Sequence, residues 1–239
     1  MTGAFEIPGA AGASLAAVGY AAGDAAPLLV LAHGAGAGQQ SAFLVEFAQA
    51  MISRGIGVVT FDFPYMRRGA RAPDRPAVLE ETWRIVLRHV LGERPEAAGR
   101  VVIGGKSMGG RIASQVLAAP IPAAGDDAAR DLRVHVAGLV LLGYPLHPPN
   151  QPARLRTAHL PALATPTLVV QGERDEFGTE HEVRQAFAVV PAHVDWLIVP
   201  GGDHSFRARG ARRAAELTPV HEGVAAWIAA HVAAARALG

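Results

Sequence analysis

Short apolar segments alternating with amphipathic ones predict an α/β domain, with a mostly parallel central sheet and helices on both faces. Three observations carry this. The strand segments are continuously apolar, as parallel strands buried on both sides are. The segments between them repeat their apolar residues at helical spacing. Glycine-rich turns follow several of the strands, at His33-Gly34-Ala35-Gly36, Gly104-Gly105 and Gly201-Gly202.

Taken in order, Pro27–Ala32 (PLLVLA) reads as a strand. Ser41–Arg54 follows as a helix with Phe43, Phe47 and Met51 on one face. Ile56–Phe61 is a strand, and Leu79–Leu91 a helix striped by Leu79, Trp83, Val86, Leu87 and Val90. Arg100–Ile103 is a short β-branched strand, and the helix after it carries Met108, Ile112 and Val116 inward. Val136–Leu142, Thr167–Gln171 and Val194–Val199 are strands, with a helix over Glu180–Val190. The last helix spans Glu216–Arg236, with Val220, Val224, Trp227, Ile228 and Val232 inward. Two segments break the alternation, Pro64–Pro76 and Tyr144–Pro166. Both follow strand ends, where open α/β sheets place their ligand sites, so they are expected to form pocket walls or a minimal lid.

Bulk properties narrow the function. The chain has 239 residues, half of them hydrophobic, which suits one domain over 1–239. Its 22 basic and 21 acidic residues leave a net charge of +1, so neither nucleic acid nor an anionic membrane is an expected partner. Cysteine is absent, which excludes disulfides, thiolate nucleophiles and Cys-ligated zinc. The Ala/Gly-rich start is interrupted by Glu6, Pro8 and Asp24 and does not read as a signal peptide. The longest apolar run, Val136–Leu142, is far too short for a membrane span. A cytoplasmic protein is the expectation, and a monomer, since no coiled-coil or exposed apolar stripe is evident.

The stretch Gly104-Gly105-Lys106-Ser107-Met108-Gly109-Gly110 contains G-x-S-x-G between a strand and a helix. That context is the nucleophile elbow of α/β-hydrolases: a tight turn lifts the serine hydroxyl clear of the sheet, and glycines flank it because side chains would collide. A serine hydroxyl needs a base, and the base an orienting acid, in the chain order Ser, acid, His. Asp175 lies in the turn after the strand Thr167–Gln171, with Glu173 and Glu176 as neighbours, and His204 on the glycine-rich loop after Val194–Val199. Ser107, Asp175 and His204 are therefore the candidate catalytic residues. Asp203 is too close to His204 in sequence to orient it and reads as structural. An oxyanion hole would use the backbone N–H of Met108 and a second from the early loop, with Ala35 first and Gly36 as the alternative. The adjacent Asp203-His204 pair could suggest a metal, but no second ligand cluster has usable spacing, so no metal site is expected. No cofactor is expected either: neither a dinucleotide fingerprint nor a P-loop ending is present.

The elbow Gly104–Arg111, the stretch Gly143-Tyr144-Pro145-Leu146-His147-Pro148-Pro149, the stretch Leu155–Pro161 and the run Gln171–Thr179 carry a resemblance. They resemble the small bacterial α/β-hydrolase-like proteins akin to testis-expressed hydrolase-like proteins of animals. These are related to a regulatory subunit of a chromatin-acetylating complex, within a dienelactone-hydrolase-like neighbourhood. The resemblance spans about residues 28–235. It implies the α/β-hydrolase fold and leaves the substrate open. Ser107 stands where dienelactone hydrolases place a cysteine and haloalkane dehalogenases an aspartate, so neither of those activities is implied.

The function expected is a serine carboxylesterase or thioesterase acting on a small acyl ester. The alternatives are a scaffold that keeps the hydrolase fold and an acyltransferase using the same triad. Lys106, Tyr144, His147, Arg67 and Phe206 are candidate substrate-binding residues. Lys106, Arg67, Arg68 and Arg174 would favour an anionic substrate if they stand near the site, or else make structural ion pairs.

Overall fold

The computed structural model describes residues 2–9, 13–119, 132–208 and 217–238. Eight strands form one sheet: β1 (Gly3–Pro8), β2 (Ser14–Tyr20), β3 (Leu28–Ala32), β4 (Gly57–Phe61), β5 (Val101–Lys106), β6 (Val136–Leu142), β7 (Thr167–Gly172) and β8 (Val194–Val199). Their spatial order is β1-β2-β4-β3-β5-β6-β7-β8. From β4 onward every pairing is parallel, while β1–β2 and β2–β4 are antiparallel. The helices are α1 (Ala42–Ile52), α2 (Pro64–Arg67), α3 (Pro76–Glu93), α4 (Met108–Ala118), α5 (Glu180–Phe187) and α6 (Thr218–Leu238).

Strand alternation divides the core in two. Val30, Ile103, Leu139 and Leu141 face α3 and α4, where Trp83, Leu87, Ile112 and Val116 meet them. Leu29, Leu31, Val102 and Val140 face α1 and α6, against Phe47, Met51, Val224 and Ile228. Both faces are thus covered, which is why the central strands read as unbroken apolar runs. Among the described residues no helix is long and apolar enough to cross a membrane.

Two features depart from the sequence reading. The first two strands were not legible, because Ala and Gly fill positions where strands usually carry β-branched residues. Only Ile7, Leu15 and Ala17 mark their buried side. The helix α3 begins at Pro76 rather than Leu79, with proline in its first turn, where the missing N–H costs nothing. Glu216, the expected start of the last helix, lies outside the described residues.

The chain leaves β3 toward β4 on one side and later returns to β5 on the other. The loops after β3 and β5 therefore part at the switch point of the sheet, which opens a crevice above its carboxyl edge.

Candidate active site

Ser107 sits between β5 and α4 at φ 52° and ψ −117°, a region that non-glycine residues rarely adopt. The conformation is imposed by its surroundings. A Cβ on Gly105 would stand 2.6 Å from the Gly110 nitrogen, and one on Gly109 would stand 2.6 Å from the His33 carbonyl oxygen. Only glycine lets β5, β3 and α4 approach this closely around the serine.

The turn aims the Ser107 hydroxyl at His204. Oγ lies 2.8 Å from His204 Nε2, and His204 Nδ1 lies 2.7 Å from Asp175 Oδ2. A carboxylate only accepts, so Nδ1 carries the proton and Nε2 is left to accept from the serine. Asp175 is buried, and donors fix both of its oxygens. The Phe177 N–H donates to Oδ1 at 2.8 Å, and Gln171 Nε2 donates to Oδ2 at 2.9 Å. The Phe177 ring packs on the imidazole with centroids 4.2 Å apart. Asp203 holds the histidine loop instead of the histidine: its Oδ1 accepts from the Ser205 and Arg207 N–H groups at 2.7 and 2.9 Å.

The loop after β3 closes over the serine. His33 is fully buried. Its Nε2 accepts from the Phe63 N–H at 3.1 Å, so its Nδ1–H donates to the Gly34 carbonyl at 2.7 Å. Burial pushes its pKa down, which keeps this neutral form in place. The Tyr65 hydroxyl donates to the Ala35 carbonyl at 3.0 Å, and burial pushes that phenol up to about 12. With the carbonyls anchored outward, the Ala35, Gly36 and Met108 N–H groups have no acceptor among the described residues. Ala35, Gly36 and Met108 all line the cavity together with Ser107 and His204. The cavity holds about 680 Å³. The arrangement offers a hydroxyl with a proton acceptor in contact, beside unpaired amide donors at the start of a helix, a combination suited to developing negative charge.

The candidate substrate-binding residues separate. Lys106 lines the cavity, and its Nζ donates to the His204 carbonyl at 2.6 Å. Burial pushes its pKa down to about 8, against the pull of Asp175, Asp203 and Glu176. The other four do not line the cavity. Arg67 is turned toward β1 and β2, donating to Glu6 and Ser14. Tyr144 is buried beneath the site, with its hydroxyl donating to the Arg156 carbonyl at 2.6 Å. His147 is buried near Glu182. Phe206 is buried behind Lys106, its ring centroid 5.1 Å from Nζ. Arg68 pairs with Asp74, an ion pair of the kind weighed as the alternative to substrate binding. Of the two irregular segments, Pro73, Asp74 and Pro76 of one and Pro145 and Arg156 of the other reach the cavity.

Residues not singled out in the sequence hold the site together: Gln171 under Asp175, and His33 and Tyr65 behind the β3 loop. A glutamine closing the apolar run Thr167–Val170 was the one available signal, since a buried amide requires partners. Among the described residues, no three His, Asp or Glu side chains gather as a metal-binding group.

The chain matches a family model described as an alpha/beta hydrolase domain over residues 25–232 and belongs to that family. Solved structures agree in fold. DcsB, in complex with its substrate analogue, is 14% identical with a TM-score of 0.75, covering 98% of this chain and 100% of its own. An alpha-beta serine hydrolase homologue from Coxiella burnetii is 18% identical with a TM-score of 0.66, covering 95% of this chain and 96% of its own. The dienelactone hydrolase from Anabaena variabilis is 17% identical with a TM-score of 0.67, covering 95% and 97%.

Proposed function

We propose that this protein is a serine hydrolase, a carboxylesterase or thioesterase that cleaves small acyl esters through an acyl-enzyme on Ser107. The observation that carries the reading is the unbroken hydrogen-bond chain from Ser107 through His204 to Asp175, opening into a cavity. Membership in the hydrolase family supports it.

In this reading His204 Nε2 takes the Ser107 proton as Oγ attacks the ester carbonyl carbon. Asp175 holds the imidazole and stabilises its cation. The Met108 and Ala35 amides receive the oxyanion, with Gly36 able to replace Ala35; one such donor is worth about 3–4 kcal/mol in the transition state. The imidazolium returns the proton to the leaving alcohol or thiol. Water, deprotonated by His204, then attacks the acyl-enzyme, releases the acid and restores Ser107. The reading calls for no metal or cofactor and places all the chemistry in one chain.

The test is pre-steady-state hydrolysis of p-nitrophenyl acetate. An initial burst of nitrophenol stoichiometric with enzyme, absent in Ser107→Ala, is expected. Turnover that survives Ser107→Ala would overturn the assignment. Release of the acyl group to an added alcohol in preference to water would move it to the acyltransferase alternative.

A further inference from the structure

Two of the three arginines that line the cavity, Arg111 and Arg156, have no part in this chemistry. Arg111 lies one helical turn beyond Ser107, its N–H donating to the Ser107 carbonyl at 3.1 Å. Its NH1 donates to Gln115 Oε1 at 3.1 Å, while its Nε is buried without a partner. Arg156 reaches the same cavity from the segment after β6. Its N–H donates to the Leu146 carbonyl at 2.9 Å, its carbonyl accepts from Tyr144, and its NH1 donates to the Pro145 carbonyl at 3.1 Å. Ser114 and His159 fasten this segment to α4, with Oγ and Nε2 2.8 Å apart.

Among the described residues neither guanidinium forms an ion pair. Glu80, whose charge favours the Arg111 cation, is itself paired with Arg84; Asp74 pairs with Arg68, and Glu46 lines the cavity from α1. Burial, and after it like charge from Arg111 and Arg154, lowers the pKa of Arg156. Two partly desolvated cations lining one cavity, with no ion pair among the described residues, are costly to the fold. A bound anion offsets that cost, and the planar guanidinium fork matches a carboxylate.

We propose that Arg111 and Arg156 form a subsite for a carboxylate carried by the acyl part of the substrate. The substrates are then half-esters or half-thioesters of short dicarboxylic acids. Arg111 starts one helical turn beyond Ser107 and both line the same cavity, which puts the carboxylate and the reacting carbonyl on one short acyl chain. The proposal rests on the hydrolase reading for the fate of the ester: water is consumed, the acyl C–O or C–S bond breaks, and a dicarboxylate and an alcohol or thiol are released. The binding of the carboxylate itself does not depend on turnover.

The test compares monomethyl succinate with its uncharged counterpart, methyl isocaproate, by acid release. The native enzyme is expected to favour the succinate ester in kcat/KM by roughly tenfold to a hundredfold, the equivalent of one charge-assisted hydrogen bond. In Arg156→Gln, and separately in Arg111→Gln, that ratio should collapse toward unity through KM, and Arg156→Lys should recover part of it. A native ratio near unity, or a ratio that both glutamine variants leave unchanged, overturns the subsite. Thermal unfolding with added succinate separates the two readings. A rise in Tm for the native chain that is lost in Arg156→Gln upholds the subsite even where neither ester is cleaved, and the hydrolase reading then fails alone. Cleavage of methyl isocaproate with no succinate effect leaves the hydrolase reading standing and removes the subsite. Stabilisation by inorganic phosphate but not succinate also overturns the carboxylate assignment.

Discussion

Replacing Gln171 by methionine tests how the acid of the proposed triad is held. Gln171 ends β7 and is fully buried. Its Oε1 accepts from the Tyr144 N–H at 2.8 Å, and its Nε2 donates to Asp175 Oδ2 at 2.9 Å and to the Gly178 carbonyl at 2.8 Å. Methionine is close in volume, so Gln171→Met leaves packing nearly intact and removes three hydrogen bonds. Asp175 Oδ2 keeps His204, but the Tyr144 N–H and the Gly178 carbonyl are left buried and unpaired. At about 1–3 kcal/mol for each such group, the loss is about 2–6 kcal/mol. For a chain of this size that lowers Tm by roughly 4–24 °C. The carboxylate also loses one of the donors that fixes it, so kcat should fall by about tenfold, well short of the ~10⁴ expected for a lost acid. Calorimetry and ester kinetics on the purified variant read both quantities. Unchanged Tm with unchanged kcat would refute the reasoning. Gln171→Glu sharpens the test: it keeps an acceptor for Tyr144 but sets a second carboxyl against Asp175. Such a pair can share one proton, so stability and activity should be lost as pH rises and the second group ionises.

Three further outcomes follow from the same geometry. Gly109→Ala should abolish activity and destabilise the fold by several kcal/mol, because its methyl group would meet the His33 and Ala32 carbonyl oxygens at 2.6 and 2.7 Å; a native-like Tm by circular dichroism would contradict this. His33→Phe should lower kcat with little change in KM, since it removes the short His33 hydrogen bond to the Gly34 carbonyl and loosens the loop that carries the Ala35 amide; a rise in KM with kcat unchanged would count against an oxyanion role. Lys106 has its pKa lowered from 10.5 to about 8 in the folded chain, so between those values the unfolded chain holds more protons and stability rises with pH. The native protein should therefore gain on Lys106→Met by up to about 3 kcal/mol from pH 8 to pH 10.5 in urea unfolding, and a difference independent of pH would show that Lys106 is not desolvated.

The parallel half of the sheet was legible because burial on both faces leaves a plain mark: Leu28–Ala32, Val101–Ile103 and Val136–Leu142 are apolar without interruption. The pair β1 and β2 was not, because alanine and glycine give period-two alternation too little contrast to stand out. Ser107, Asp175 and His204, which the fold joins in one hydrogen-bonded chain, could be proposed from the sequence for a local reason: each sits in a short turn after a strand, in the order Ser, acid, His. Their supports were hidden because they act through space: Gln171 bridges toward Tyr144 and Gly178, and His33 bridges Gly34 to Phe63 across thirty positions. Arg67 shows the opposite limit. Its segment leads to the cavity, but its own side chain finds Glu6 on β1, a strand the sequence did not reveal. Arg111 and Arg156 come from segments far apart in the chain, and only the folded arrangement shows them lining one cavity.

The reactivity of Ser107 is the central property of the proposed site, and intact-protein mass after exposure to a small fluorophosphonate measures it. One phosphonyl adduct per native chain is expected, with none on Ser107→Ala and slow labelling of His204→Ala. A folded native chain that takes up no adduct, or an adduct that persists on Ser107→Ala, would contradict the claim that His204 activates this serine.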